Sequence, residues 1–426
     1  MSRQQERTRA ALAASVRERR AELIDITAAL VRVPSENPPG STENVANVAA
    51  RLLSVPGIEV ELAASKPPIV NVIARVRGGA SGRRLVYNGH LDTYPIGDAS
   101  QWTVDPLGGV VRDGRLYGRG AADMKGGIAC SILAARLLAE RRDAWAGEVV
   151  VTLAGDEESM GPHGTQFLLE QFPHASGDVM VTADAGSPDV LRFGEKGMIW
   201  LDVTAYGKAA HGAHVHLGVN AIERLMSALN DVFELRNASV NLPEEVDRAI
   251  AAAAGVSEAI SGAGESRTLR RITVNCGMIQ GGTLRNIMPA TASAALDIRL
   301  PAGVKIADIE AHIAAALDKR EGIQYRIVRR FEALWSNPHH EMVSYLIRAG
   351  EEARGRKPVV NYRVGGSDAR LYRLRNVPSY VCGLTPFNMG AADEYVDLDE
   401  LHAVAYMHTL AGFDYLNRVD SRSAAQ

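Results

Sequence analysis

The chain has 426 residues, more than one ordinary hydrophobic core accommodates, so two domains are expected. An apolar share of 46%, a charged share of 23% and a net charge of −3 describe a globular protein with no positive surplus for nucleic acid or anionic membrane. Three widely spaced cysteines, Cys130, Cys276 and Cys382, make no CxxC pair, which argues against a disulfide framework or a zinc–cysteine site and predicts a cytoplasmic protein. The N-terminal stretch is charged throughout and carries no apolar signal segment. No apolar run approaches the roughly 18–20 residues of a membrane helix.

Residues 3–32 are predicted to form one helix, with Leu23, Ile24, Ile26, Leu30 and Val31 as its apolar stripe. The proline-rich loop VPSENPPGST ends it, and 44–53 resumes a helical pattern. Strands are predicted over 68–75 and 84–88. Ile128, Ile132, Ala135 and Leu138 recur at helical spacing within 124–140. The run EVVVTL, 148–153, is a buried strand of the parallel-sheet type. A helix over 165–171 and a strand over 179–183 follow. Such alternation predicts an α/β fold, a mostly parallel sheet covered by helices.

The pattern changes near Phe193. A strand at 199–205, the loop GKAAHGAHVHLG and a helix from about Asn220 lead into a long alanine-rich helical stretch. Strands at 271–280, 292–299 and 324–329, with a helix at 306–317, alternate like a half-buried antiparallel sheet. Residues 194–332 are therefore predicted to be an inserted α+β domain, dividing the first domain into 1–193 and 333–426. The α/β pattern then returns with a helix at 342–352, a loop at 364–370, a strand at 379–382 and a closing helix after Asp397. The tail DSRSAAQ is predicted to be disordered.

Acidic residues and one histidine collect where these strands end and helices begin. His90 and Asp92 follow the strand at 84–88 and share one face of an extended chain. Alone, the pair is better explained by a surface turn, and Asp123 alone by a helix cap. Asp156-Glu157-Glu158 and Asp184 follow the next two strands. In open α/β sheets ligands bind at the carboxyl ends of strands. Three consecutive carboxylates repel one another unless a cation compensates, and a divalent metal is the simplest such cation. One histidine with several carboxylates suits zinc, manganese or cobalt better than calcium.

The series GHLDTYP, GRGAADMKGG, AGDEESMG and TADAG resembles the metal-dependent aminoacylase, carboxypeptidase and succinyl-diaminopimelate desuccinylase family of hydrolases, across essentially the whole chain. The resemblance implies that the inserted domain is a lid and dimerisation domain, hence a homodimer. It implies His90 as a ligand of a first metal, oriented by Asp92, and Asp123 as a bridge between two metals. It makes Glu157 the general base, Glu158 a ligand of the second metal and Asp184 a ligand of the first. His211, in GKAAH, is implied to stabilise the developing oxyanion, often from a neighbouring subunit. Asn286, with Gly281, Gly282 and Asn275, is implied to shape the substrate pocket. Ser367 lies in a GGSDAR loop beside the substrate, and Arg370 there suits a bidentate pair with a substrate carboxylate. Arg363 is the weaker choice for that task.

One departure stands out. The family places a histidine four residues before the glutamate of the EYV run, as a second-metal ligand. Here that glutamate is Glu394 and the position is Gly390, with Asn388 as a weak substitute nearby. One tight metal site is therefore expected, from His90, Asp123 and Asp184, with Glu158 idle or closing the same site. The second site is in doubt. The leading expectation is a hydrolase cleaving a C–N bond of a small carboxylate-bearing substrate. The missing histidine also motivates an aminohydrolase acting on an aromatic amine, as in the family branch that includes 5-nitroanthranilate aminohydrolase. A non-catalytic metal-binding protein is the third option, opposed by the intact Glu157.

Overall fold

The computed structural model describes residues 2–417; the tail expected to be disordered lies outside them. The described residues form two compact units, one of 2–193, 336–361 and 367–417 and the other of 194–335 and 362–366. The second unit thus ends slightly later than the expected 332 and takes a short return segment.

The first unit begins with α1 (Arg3–Glu18) and α2 (Arg20–Val31) in place of the single helix expected. Arg19 leaves helical geometry at φ −96 and ψ 26, and its guanidinium pairs with Glu140 at 2.7 Å. Helix α3 (Glu43–Leu53) precedes a hairpin of β1 (Ile58–Lys66) and β2 (Ile69–Arg77). Strand β3 (Ala80–His90), helix α4 (Gly126–Ala139), β4 (Ala146–Ala154), β5 (Val179–Thr182) and β6 (Val190–Glu195) follow.

The second unit contributes β7 (Gly197–Tyr206), α5 (Ala221–Phe233), α6 (Glu244–Ser261), β8 (Thr273–Gly281), β9 (Thr291–Leu300), α7 (Ile306–Leu317) and β10 (Ile323–Phe331). The chain then returns with α8 (Glu341–Arg354), β11 (Ser379–Val381) and α9 (Leu398–Leu416). No described helix is long and apolar enough to cross a membrane.

The central sheet runs in the order β1-β2-β4-β3-β5-β11-β6. Its middle pairs, β4 with β3, β3 with β5 and β5 with β11, are parallel, and the outer pairs are antiparallel. Tyr87 in β3 sits between Val151 of β4 and Val181 of β5. Leu85, Val86, Val149 and Val150 are fully buried, each stabilising the fold by roughly 1.5–3 kcal/mol. Tyr87 donates to the His408 carbonyl at 2.6 Å and stacks on that ring at 5.2 Å, which ties α9 across the sheet. A Cβ on Gly412 would lie 2.2 Å from the Tyr87 hydroxyl, so only glycine permits this approach. From β3 the chain passes to β4 on one side and then crosses to β5 on the other, so the strand order reverses at β3, and the crevice beyond its carboxyl end is where such sheets bind ligands. His90 is the last residue of β3.

In the second unit the antiparallel order is β8-β9-β7-β10. Burial alternates residue by residue along β9, as expected when one face is packed. That face brings Leu201, Val203, Leu296 and Ile298 against Leu225 and Leu229 of α5 and Ile309 and Ile313 of α7. The Asn220 side chain caps α5 by accepting the Ile222 N–H at 2.9 Å.

Candidate metal centre

The centre is built on main-chain contacts that reach far along the sequence. His90 Nδ1 lies 2.9 Å from the Asp92 carbonyl oxygen. A carbonyl only accepts, so Nδ1 carries the proton. Nε2 faces Asp123 Oδ1 at 3.0 Å, a contact that needs either a proton on Nε2 or a metal cation between the two atoms. His90 and Asp123 are both buried.

Asp123 is presented by an interruption of the helix. Its backbone is extended at φ −130 and ψ 95, and α4 starts only at Gly126. The expected helix from 124 begins two residues late because the N–H groups of Ala122 and Asp123 donate to Glu394 Oε1, at 3.0 and 3.2 Å. Glu394 is in turn held by Arg119 Nη1 at 2.6 Å, both side chains buried. A Cβ on Gly127 would meet the Ala183 carbonyl oxygen at 2.3 Å, so glycine allows α4 to press on the end of β5. Lys125 is buried and donates to the Val33 carbonyl at 2.7 Å; burial pushes its pKa down to about 7, against the pull of Glu394 and Asp92.

The acidic loop after β4 hangs from Asp92. The Glu157 and Glu158 N–H groups donate to its two carboxylate oxygens at 3.2 and 3.0 Å. Asn37 donates to Asp92 at 2.9 Å and to Asp156 at 3.2 Å. Asp156 closes the turn by accepting Ser159 Oγ and the His163 N–H. Asp92 therefore organises the Glu157–Glu158 loop through its carboxylate and His90 through its carbonyl; its nearer carboxylate oxygen is 3.8 Å from His90 Nδ1.

His90, Asp123 and Glu158 each bring a ligand atom within 4.8 Å of the others. Asp184, expected as the third ligand, is not in that group, and its carboxylate accepts the adjoining Ala185 N–H instead. Glu158, which is in that group, has its Oε1 buried without a hydrogen-bond partner. A carboxylate oxygen without a hydrogen-bond partner, an imidazole nitrogen facing a carboxylate and that second carboxylate are a donor set that fits a divalent cation.

The electrostatics agree. Burial, then Asp123, push Glu158 up to about 10, with Glu157 and Asp92 adding to the effect. Burial also holds the Glu157 carboxyl well above the usual range; His90 and Arg370 oppose this, and Asp368 and Asp184 reinforce it. Burial opposes charge on His90, yet Asp123, Glu157 and Glu158 hold its pKa well above the usual imidazole value. The cluster has more carboxylates than cations.

Arg370 and Ser367 lie close together, the guanidinium donating to the Ser367 carbonyl at 2.8 Å, and both are buried. Arg370 acts electrostatically on Glu157. Asn388, the expected substitute ligand, is exposed, and its amide donates to the Asp393 carbonyl at 3.1 Å. It is a turn residue with φ 55, outside the ligand group. In the other unit, His211 and Asn286 come together: Gly212 donates to the Asn286 carbonyl at 2.8 Å, and His211 pairs with Ile287 between two short strands. Both are exposed. Asn37, Glu394 and Tyr94 lie around the first unit's site without a role there expected from the sequence, whereas Asp156 belongs to the acidic run expected at it. Asn37 sits in the proline-rich loop, whose composition signals only a break. Burial, then Glu158, Asp123 and Glu157, push the Tyr94 hydroxyl up.

A profile of peptidase family M20/M25/M40 matches residues 86–411. The chain belongs to this family. A succinyl-diaminopimelate desuccinylase from Methylobacterium sp. (strain 4-46) is 32% identical over 398 residues, 88% of this chain and 92% of that protein. An M20 family metallo-carboxypeptidase from Sulfolobus solfataricus has the same fold, with TM-score 0.75 at 19% identity, covering 93% of this chain and 98% of its own. A dinuclear metal binding peptidase of the family from Bacillus subtilis superposes with TM-score 0.66 at 16% identity over 94% and 99% of the two chains. This M20 family member is a metal-dependent hydrolase acting on amide-type C–N bonds.

Proposed function

We propose that the chain hydrolyses the amide bond of a small N-acylated amino acid or similar carboxylate-bearing substrate at a single metal centre. His90, Asp123 and Glu158 hold one divalent ion, zinc, manganese or cobalt. The observation that carries this is the opposed pair of His90 Nε2 and Asp123 Oδ1 at 3.0 Å, completed by the orphaned Glu158 oxygen. A bound ion supplies Lewis acidity and lowers the pKa of water. Glu157 takes a proton from the attacking water and returns it to the leaving nitrogen. Asp184 acts on the charge of Glu157. Arg370 and Ser367 face the substrate, and Asn286 and His211 contribute from the inserted unit.

The name of the Methylobacterium relative supports a succinyl group as the first acyl group to test. Gly390 favours a second reading, cleavage of an aromatic amine at the same centre. A homodimer through the inserted unit is supported by its edge strand β8, where Met278 and Ile279 are 60% and 59% exposed. Three free cysteines support a cytoplasmic enzyme. The test is a panel of N-succinyl and N-acetyl amino acids, dipeptides and aryl amines, run on wild type and Glu157→Gln with metal content measured in parallel. Amide turnover lost in Glu157→Gln at unchanged metal content supports the reading; turnover of aryl amines alone replaces it with the second.

A further inference from the structure

The residues before α4 favour a helix. Alanine, methionine and lysine, four of the five residues of Ala121-Ala122-Asp123-Met124-Lys125, are strong helix formers. A helical Asp123 would have φ of about −63° and ψ of about −42°. It has φ −130 and ψ 95 instead, Met124 also leaves helical geometry, and the Asp123 carboxylate stands 3.0 Å from His90 Nε2. Something outside the segment must hold this main chain against its local preference.

Glu394 does so. Its Oε1 accepts the Ala122 and Asp123 N–H groups at 3.0 and 3.2 Å, donors of two buried residues that need a partner. Its Oε2 accepts Arg119 Nη1 at 2.6 Å, so both oxygens are committed, and the residue is 1% exposed. The flanking chain aims it. The short strand Tyr395–Asp397 pairs with Arg115–Tyr117, and the Glu394 carbonyl accepts the Gly118 N–H at 2.9 Å. Arg119 Nη2 reaches the Ala391 carbonyl at 3.1 Å, and its guanidinium lies 5.1 Å from the centre of the Trp102 ring. The Asp393 carboxylate accepts the Thr103 N–H and hydroxyl at 2.8 and 2.9 Å. Gly390 offers no side chain, and this turn meets the Asp123 segment through Glu394.

We propose that Glu394 is a positioning residue of the metal centre: braced by Arg119, it holds the Asp123 main chain extended, so that carboxylate and imidazole are preorganised for an ion. It acts through Asp123, and its loss should weaken metal binding in a protein that still folds. The inference rests on the His90–Asp123 centre read above.

The test uses the full chain, stripped and reloaded with Zn(II) or Co(II). Glu394→Gln keeps the size of the side chain but has one acceptor oxygen where two are used, so it cannot serve both the N–H pair and Arg119. Metal affinity by chelator competition should weaken about 10–100-fold, the usual cost of losing an outer partner. The visible absorption of the Co(II) form should shift as well. Asp414→Asn is the control for a merely structural role. It weakens the pair of buried Asp414 with Arg9, 3.0 Å apart, and should lower the melting temperature while leaving affinity and spectrum alone. Unchanged affinity and spectrum in folded Glu394→Gln overturn the proposal. An equal loss of affinity in Asp414→Asn also overturns it, since the effect would then be one of general stability. If Glu394→Gln does not fold, Glu394→Asp decides by the same readouts, because it keeps the charge but is one methylene too short for both contacts. A wild-type chain that retains no tightly bound ion would overturn the centre itself, before any variant is made.

Discussion

Two histidines of this chain stand in contrasting surroundings. His90 ends a central strand, is 3% exposed, and is fixed by a carbonyl two residues on and by carboxylates far away in sequence. His211 is exposed, and the bond its ring makes is local, accepting the Ala213 N–H at 3.2 Å. Its ring neighbour is His214 at 5.8 Å, from the same loop. Burial with long-range support makes a preorganised site, in which each partner is needed. Exposure with local support makes a mobile contact, useful for meeting a substrate but indifferent to most substitutions. The two units should therefore respond very differently to mutation.

The largest effect is expected in the buried centre. His90→Ala and Asp123→Ala each remove a ligand and should abolish both tight metal binding and activity. Metal content at wild-type level in both variants would refute the assignment. Glu157→Gln comes next. It should retain the metal and the melting temperature while kcat falls about 100-fold or more, the ordinary worth of a general base. A near-normal rate would mean the water loses its proton without this carboxylate. Third is Arg119→Met, which strands Glu394 as an unpaired buried charge beside the Asp123 main chain. Breaking such a pair costs about 3–5 kcal/mol, measurable by urea unfolding of the stripped protein. A loss under about 1 kcal/mol would show that Glu394 protonates or finds other partners at little cost.

Much of this architecture was legible along the chain because buried parallel strands are continuous apolar runs, and β4 and β5 are such runs. The acidic clusters stand at their ends, and the fold brings ligand atoms of His90, Asp123 and Glu158 within 4.8 Å of one another. Strand β1 was missed because one face of Ile58–Lys66 is largely exposed and its apolar pattern is weak. The division at Arg19 left no proline or glycine to mark it. The roles of Asn37 and Glu394 lie in contacts 55 and 271 residues away in sequence, which no local pattern encodes. For the same reason the choice between Glu158 and Asp184 as third ligand could not be made from spacing. Both follow buried strands, and the fold adds that one Asp184 carboxylate oxygen accepts the Ala185 N–H.

The smallest effect on the molecule itself is expected at His211. An exposed loop residue without long-range bonds should change stability by less than about 0.5 kcal/mol when replaced by alanine. Its effect on catalysis should be large all the same if the inserted unit delivers it to the site of a neighbouring subunit. Mixed dimers decide this. His211→Ala and Glu157→Gln homodimers are each expected to be nearly inactive. If His211 acts across the interface, a heterodimer of the two chains has one site that receives an intact His211 and keeps its own Glu157, and a second site that lacks both. Mixing the inactive variants under conditions of subunit exchange should then recover up to half the wild-type rate per heterodimer. If His211 acts within its own subunit, each site of the heterodimer lacks one group, and no recovery follows. Tagged copies purified as heterodimers make the comparison quantitative, and a failure to recover activity in them would confine His211 to its own chain.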